Sequence, residues 1–501
     1  HSIALVERIR GEMMHSTASS GALDVLSEDA PQELALTPLW ALKAIYFIGV
    51  GSSACLFKML PVFYHRIGFG NHEIGFIATL GRGTDFAANL GWAALCDYLG
   101  TFKGILLVSH LAGAAVLCTM LIPAVQHYIW VLSIVTLGSA ILASRGSVVD
   151  ALTLQVVEEY GRLAQREQCE QREAMDVRGP GPSKALDTFA SARPPHGPRP
   201  PPAPRLPSYG QQRLWGAAGW GGFTLLSGWL VDLFGVTSMF VSFVITLSVT
   251  LAIMITQMPA GTRRQRQDGP SASFASLLNF EVLWFFANLI VYGVHMAIVE
   301  SFLYIYLLRE FENTSNLLLG STTAMTCLFE LPVFFYIDRL YDRVDLRTML
   351  TACHTILAVR CLIYSILPVA LPWTVLLVEP LHGITFGAMW SCSVEYGKRL
   401  APENGKAKMQ AMTSGLYYKL AQGCGSALWG VLTELFGFRP MFRLAAMTLL
   451  IWSFAWNVGW RVAAHRGGVA RSMAASVAAP PPRCSGSAAG PATVALTSRA
   501  A

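Results

Sequence analysis

Gly228-Trp229-Leu230-Val231-Asp232-Leu233-Phe234-Gly235, followed after three residues by Met239-Phe240, recurs later as Gly430-Val431-Leu432-Thr433-Glu434-Leu435-Phe436-Gly437, three residues, then Met441-Phe442. The same residues or close substitutes hold the shared positions, and one acidic slot is Asp in one copy and Glu in the other. A weaker echo joins Glu159-Tyr160-Gly161-Arg162 to Glu395-Tyr396-Gly397-Lys398 at a larger offset. That difference is expected if the first half carries an insertion between the two echoes. The chain therefore reads as two parallel repeats.

Around the echoes lie apolar runs at about 38–60, 73–96, 104–125, 128–157, 210–232, 236–258, 279–308, 316–337, 347–368, 371–396, 407–434 and 438–462. Each is long enough to span a bilayer as a helix. In lipid every backbone polar group must be satisfied within the segment, which selects helices over strands at these lengths. Only 14% of residues are charged and the mean hydropathy is +0.45, whereas soluble domains carry about a quarter charged residues. The expected fold is all-α and integral to the membrane: twelve transmembrane helices in two pseudo-symmetric halves of six. The echo about residue 232 falls where a fifth helix hands over to a sixth, and its partner where an eleventh hands over to a twelfth.

The net charge of +6 is no nucleic-acid footprint, because the basic residues cluster in alternate connections. Those connections hold Lys103; Arg162, Arg166, Arg172 and Arg178; Arg263, Arg264 and Arg266; Arg339, Arg343 and Arg347; and Lys398, Arg399, Lys406 and Lys408. The intervening ones hold little beyond Arg66, Arg309, Arg439 and Arg443. By the positive-inside rule this places both termini in the cytosol, of a plasma membrane or an endomembrane. Asn313-Thr314-Ser315, a glycosylation sequon, falls on an expected outer loop. The expected organisation is a cytosolic segment over 1–37, a first half over 38–258 containing a disordered cytosolic insertion at 160–208, a central loop at 259–278, a second half over 279–462 and a disordered tail over 463–501. The insertion is charged and then rich in Pro and Arg from Arg193 to Pro207, a composition that buries no core. The ten cysteines form no CxxC pair and read as small packing residues.

Charges inside apolar runs are the sharpest functional signal, because each costs about 2.5–3.5 kcal/mol at a helix centre and so faces a partner or a water-filled cavity. They are Arg82 and Asp85 in the second run, Arg145 and Asp150 in the fourth, Glu300 in the seventh, Glu330 in the eighth and Arg360 in the ninth. Glu379, His382 and Glu395 lie in the tenth and Lys419 in the eleventh. Arg82 and Asp85 are three apart and can pair locally; a structural pair and a transport role are both open. Arg145 and Asp150, five apart, serve different neighbours, with Arg213 as a candidate partner for Asp150. Glu379 and His382 put a carboxylate one turn from an imidazole that titrates near neutrality, suited either to carrying a proton or to structural pairing. Tyr292, Trp390, Tyr417 and Tyr418 offer either stacking surface for a sugar or nucleoside ring or a lipid-facing aromatic belt. Metal or cofactor binding is not expected: there is no P-loop, GxSxG, HExxH or Cys/His metal spacing, and hence no enzyme signature.

Tyr209-Gly210-Gln211-Gln212-Arg213-Leu214-Trp215-Gly216-Ala217-Ala218-Gly219-Trp220-Gly221 resembles the Y-G-x-x-R-L-W-G-x-x-G-W-G signature of the MFS-1-like branch of the major facilitator superfamily. That branch includes bacterial sugar and nucleoside proton symporters and the animal and plant group called major facilitator superfamily domain-containing protein 6. Glu300-Ser301-Phe302-Leu303, Glu330-Leu331-Pro332-Val333-Phe334-Phe335 and Leu381-His382-Gly383-Ile384-Thr385-Phe386-Gly387-Ala388-Met389-Trp390 look like the same group. The loop from Gly91 to Lys103 keeps the Gly, Asp97 and Lys103 of the superfamily's G-x-x-x-D-R-x-G-R-R/K motif but lacks the Arg after the Asp. The resemblance implies the major facilitator fold and secondary transport of a small polar solute, a sugar or nucleoside among them, by alternating access. It also implies a proton as coupling ion and lipid as the surroundings. The other class of reading is a transporter-shaped receptor or scaffold that no longer cycles. Within the signature, Tyr209, Gly210, Arg213 and Trp215 read as packing and gating groups. Gly216, Gly219 and Gly222 are small enough to let the fifth helix approach a neighbour.

Overall fold

The computed structural model describes residues 37–99, 103–177, 209–258, 279–341, 343–402 and 405–467. They form helices and turns, with no strand among them. The helical segments are α1 (Leu39–Arg66), α2 (Asn71–Leu99), α3 (Lys103–Leu121), α4 (Tyr128–Leu142 continued by Ser144–Val177), α5 (Tyr209–Phe234) and α6 (Ser238–Gln257). The chain goes on through α7 (Phe280–Glu310), α8 (Asn316–Tyr341), α9 (Leu346–Ile366), α10 (Pro372–Leu400), α11 (Lys406–Ser414 through Gly415–Ala421 into Gln422–Phe436) and α12 (Phe438–Gly467). Among the described residues, nine helices are long and apolar enough to cross a membrane. The other three, α2, α5 and α11, are diluted by charge and glycine.

The echo that divides the chain has a physical meaning at its glycines and at its acidic slot. Gly228 of α5 lies against the first residue of α8, where an added Cβ would stand 2.2 Å from the Asn316 carbonyl oxygen. Gly430 of α11 lies against the first residue of α2, with an added Cβ 2.7 Å from the Asn71 carbonyl oxygen. Four residues on, one turn along each helix, the acidic slot meets the helix start that the glycine admits. Asp232 accepts from the Asn316 backbone N–H at 2.9 Å, the Asn316 amide at 2.6 Å and the Leu317 N–H at 2.7 Å. Glu434 accepts from the Asn71 N–H at 2.6 Å. Both carboxylates thus satisfy backbone donors that a helix leaves unbonded at its N-terminus, where the macrodipole also favours negative charge. The echo ends on Gly235 and Gly437, whose φ values of 84° and 79° need a residue without a Cβ. α5 packs along α8 and α2 along α11, so the copies clasp the first six helices to the last six at one end of the bundle.

Close approach by small residues recurs, as expected where lipid removes the hydrophobic drive for helix association. Gly219 brings α5 onto α1, with an added Cβ 2.0 Å from the Phe47 carbonyl oxygen, and Gly216 lies against Val50 and Tyr46. Gly222, expected to share that role, has nothing within 4 Å. Its neighbour Gly221 makes the contact, against Cys327 and Ala324 of α8, because the 100° step per residue turns position 222 away.

The insertion differs from expectation over 160–177. Helix α4 continues to Val177, since the stretch is rich in Glu, Gln, Arg and Ala, which favour helix in water, and has no proline. Arg162 adds ion pairs one turn back to Glu158 at 2.7 Å and to Glu159 at 3.2 Å. Likewise α12 carries on to Gly467 rather than yielding to the tail at 463. Residues 1–36, 178–208, 259–278 and 468–501 lie outside the described residues.

Candidate functional site

A cavity of about 1070 Å³ runs between the two sets of six helices. Its lining reaches Arg213 in the first turns of α5, Asp338 in the last turns of α8 and Glu395 in the last turns of α10. These mark the end of the bundle opposite the two carboxylate clasps. Arg82, Asp85, Arg145, Asp150, Glu300, Arg360, Glu379, His382 and Lys419 also line it.

The densest polar cluster is built on α10, whose irregular backbone presents it. Pro380 has no N–H to donate, and the chain winds as short 3₁₀ turns over Pro372–Leu377 and Glu379–Leu381 before a π-helical stretch over Gly383–Ala388. With three residues per turn, side chains at i and i+3 eclipse, so Glu379 and His382 point the same way. They meet Arg360 of α9 and do not bond each other directly. Arg360 donates from Nη2 to Glu379 Oε2 at 2.7 Å, from Nη1 to His382 Nδ1 at 2.8 Å and from Nε to Tyr364 Oη at 2.9 Å. Tyr364 in turn donates to Glu379 Oε1 at 2.6 Å. Both Arg360 and Glu379 are fully buried.

The far side of the imidazole faces carboxylates. His382 Nε2 lies 2.9 Å from Glu330 Oε1 on α8 and 3.8 Å from Glu300 Oε1 on α7. A guanidinium can only donate, so in this arrangement Nδ1 accepts and the neutral ring carries its proton on Nε2, aimed at Glu330. Glu300 also binds Lys58 of α1 at 3.1 Å. One chain of contacts therefore runs from Lys58 through Glu300 and His382 to Arg360 and Glu379, crossing between the first and last six helices.

A second group joins α2 to α11. Asp85 forms an ion pair with Lys419, which stands in a π-helical stretch of α11 over Gly415–Ala421. The expected local pair of Arg82 with Asp85 does not form. Arg82 instead donates to Ser426 Oγ at 2.7 Å and to Ser301 Oγ at 3.3 Å, because each side chain finds a partner on a helix of the other half. A third group joins α4 to α1: Arg145 donates to Ser53 Oγ at 2.8 Å and Tyr46 donates to Asp150 at 2.7 Å. The two α4 charges do serve different neighbours.

The remaining expected residues are spread out. Glu395 pairs within its own helix, with Arg399 at 2.8 Å and Lys398 at 3.8 Å. Lys103 donates to the carbonyls of Ile255 and Met258 at 2.6 and 2.8 Å, closing the C-terminal end of α6. The side chains of Asp97 and Tyr209 and the surroundings of Gly210 lie outside what is described. Trp215 is exposed and meets Phe47 edge-on at 6.3 Å. Trp390 and Tyr418 line the cavity, their rings 4.8 Å apart. Tyr292 is spent on packing and donates to the Thr385 carbonyl at 2.6 Å.

Glu330, one of the intramembrane charges of the sequence, belongs to the central cluster, and so does Lys58, which sequence reasoning missed. The apolar run that holds Lys58 ends near 60, whereas α1 continues to Arg66 and sets Lys58 inside the helix.

Residues 39–165 and 205–444 match the family described as the MFS_1 like family. The chain belongs to that family. Among its relatives, Major facilitator superfamily domain-containing protein 6-like protein A of Xenopus laevis is 27% identical over 139 residues, 28% of this chain and 22% of that protein. The match thus spans about a fifth of that relative's length. Maltose permease of Geobacillus stearothermophilus is 25% identical over 391 residues, 76% of this chain and 83% of the permease. The structure of nucleoside transporter NupG superposes with a TM-score of 0.62 at 13% identity, covering 84% of this chain and 98% of NupG. A POT family transporter in complex with 5-aminolevulinic acid gives a TM-score of 0.59 at 12% identity, covering 84% and 96%. At such identities these likenesses speak for the fold alone, and the fold is that of the major facilitator family: a multi-pass membrane protein.

Proposed function

We propose that this member of the MFS_1 like family is a secondary active transporter that moves a small polar solute by alternating access, with a proton as its coupling ion. The observation that carries the proposal is the position of His382, held between the donor Arg360 and the acceptor Glu330 on the wall of the cavity. A proton taken up on Nδ1 expels the Arg360 contact, while Arg360 stays anchored by Glu379 and Tyr364. The imidazolium then competes with Lys58 for Glu300, 3.8 Å away, and so loosens a tie between the two sets of helices. Loss of the proton restores both. In this way one titration acts on the packing of α1 against α7 and α10. Sugars and nucleosides head the solutes to be tried, in keeping with the permease and nucleoside transporter among its likenesses. The loop charges support both termini lying in the cytosol.

The test is uptake by the purified protein in proteoliposomes under an imposed pH gradient. Gradient-driven accumulation that disappears in His382→Gln supports the proposal. A receptor or scaffold that does not cycle predicts no accumulation of any solute, and function that survives Glu300→Gln.

A further inference from the structure

Not every charged group that lines the cavity is paired with an opposite charge, and among the carboxylates Asp150 accepts from Tyr46 while Glu330 faces His382. Glu300 is matched by Lys58, Glu379 by Arg360 and Asp85 by Lys419. Arg82 and Arg145 are not matched: the hydrogen bonds of both guanidiniums go to serine hydroxyls, Ser426 and Ser301 for Arg82 and Ser53 for Arg145. Glu300, the carboxylate within electrostatic reach of Arg82, is already bound to Lys58. Both arginines line the cavity, and they come from one wall, since α2 and α4 pack together where an added Cβ on Gly81 would stand 3.3 Å from Ser139 Oγ.

A cation placed at membrane depth with only neutral partners is costly and calls for a counter-charge. A guanidinium offers five N–H donors in a planar fork shaped for oxyanions, and the serines occupy only some of them. Phe57 stacks on the Arg145 guanidinium, ring centroid to Cζ 4.5 Å, which fixes the plane of the fork. We propose that the transported solute carries an oxyanion, a carboxylate or phosphate group, and that Arg82 and Arg145 receive it. The hydroxyl-bearing remainder of the solute then faces Trp390 and Tyr418 on the opposite wall. This rests on the cavity being the solute site of a transporter.

The experiment compares matched neutral and anionic probes by their effect on the thermal unfolding midpoint of the full-length protein in nanodiscs. The probes are glucose, glucuronate and glucose 6-phosphate, then uridine and uridine monophosphate. The expected result is that an anionic probe raises the midpoint where its neutral counterpart does not. Its apparent affinity should fall about 10–100-fold in Arg82→Gln and Arg145→Gln, the range for losing hydrogen bonds to a charged group. The Lys variants, which keep the charge and guard against misfolding, should retain part of the effect. Glucuronate against glucose 6-phosphate separates carboxylate from phosphate. The inference fails if no anionic probe acts more strongly than its neutral partner, or if the effect survives in both Gln variants. Neutral-solute uptake under a pH gradient without anion binding would overturn the inference and leave the transporter reading standing. Arginine-dependent anion binding without any uptake would leave an anion site in the cavity but overturn the transporter reading and, with it, the claim that the anion is transported.

Discussion

Arg360 can only donate hydrogen bonds, and every group it touches is thereby assigned a role. Glu379 accepts from both Arg360 and Tyr364, so Glu379→Gln leaves a buried guanidinium without its counter-ion. The expected destabilisation is about 3–5 kcal/mol, read as a lowered thermal midpoint of the purified protein. A midpoint within experimental error of the parent would show that the pair is hydrated and not structural. His382→Gln keeps the size and polarity of the side chain but cannot titrate. It should fold normally, exchange solute across the membrane, and lose the response of uptake to a pH gradient. The price of burying charge in lipid made Glu300, Arg360, Glu379 and His382 legible from sequence alone. Their partners were not legible, because a single chain does not say which helices face one another. Arg82 and Asp85 show the limit: three-residue spacing favours a pair on an isolated helix, yet Lys419, Ser301 and Ser426 from other helices took both.

At the scale of elements, the repeated Gly-x3-Asp/Glu-x2-Gly block is a clasp. Its first glycine admits the start of a helix from the other half, its acid caps that helix, and its last glycine ends its own. The sequence located both copies and so gave the register of the halves. What each position does required knowing that α5 meets α8 and α2 meets α11. Removing both acids, in Asp232→Ala with Glu434→Ala, should loosen that end of the bundle. A cysteine placed by Ile74→Cys, at a position now buried, should then be alkylated faster in membranes. An unchanged rate would mean that the glycine contacts alone hold the end shut. The extension of α4 to Val177 is not legible in composition, because polarity suits a disordered segment and a solvated helix alike, and Glu, Gln and Arg at helical spacing stabilise the helix.

For the whole molecule, closure and opening fall at opposite ends: carboxylate clasps at one, the mouth lined by Arg213, Asp338 and Glu395 at the other. A cycle that exposes the cavity to the clasped side must break both caps and the Lys58–Glu300 bridge. Glu300→Gln, which weakens the bridge, is therefore expected to raise solute exchange while blunting accumulation, measured as counterflow against gradient-driven uptake in the same vesicles. The most direct measurement is internal acidification of proteoliposomes, followed with an entrapped pH dye while sugars, nucleosides and their anionic counterparts are added outside. The account predicts that a solute which accumulates brings protons in with it, and that His382→Gln abolishes the proton signal. Accumulation of a solute with no proton movement, identical in parent and His382→Gln, would contradict it.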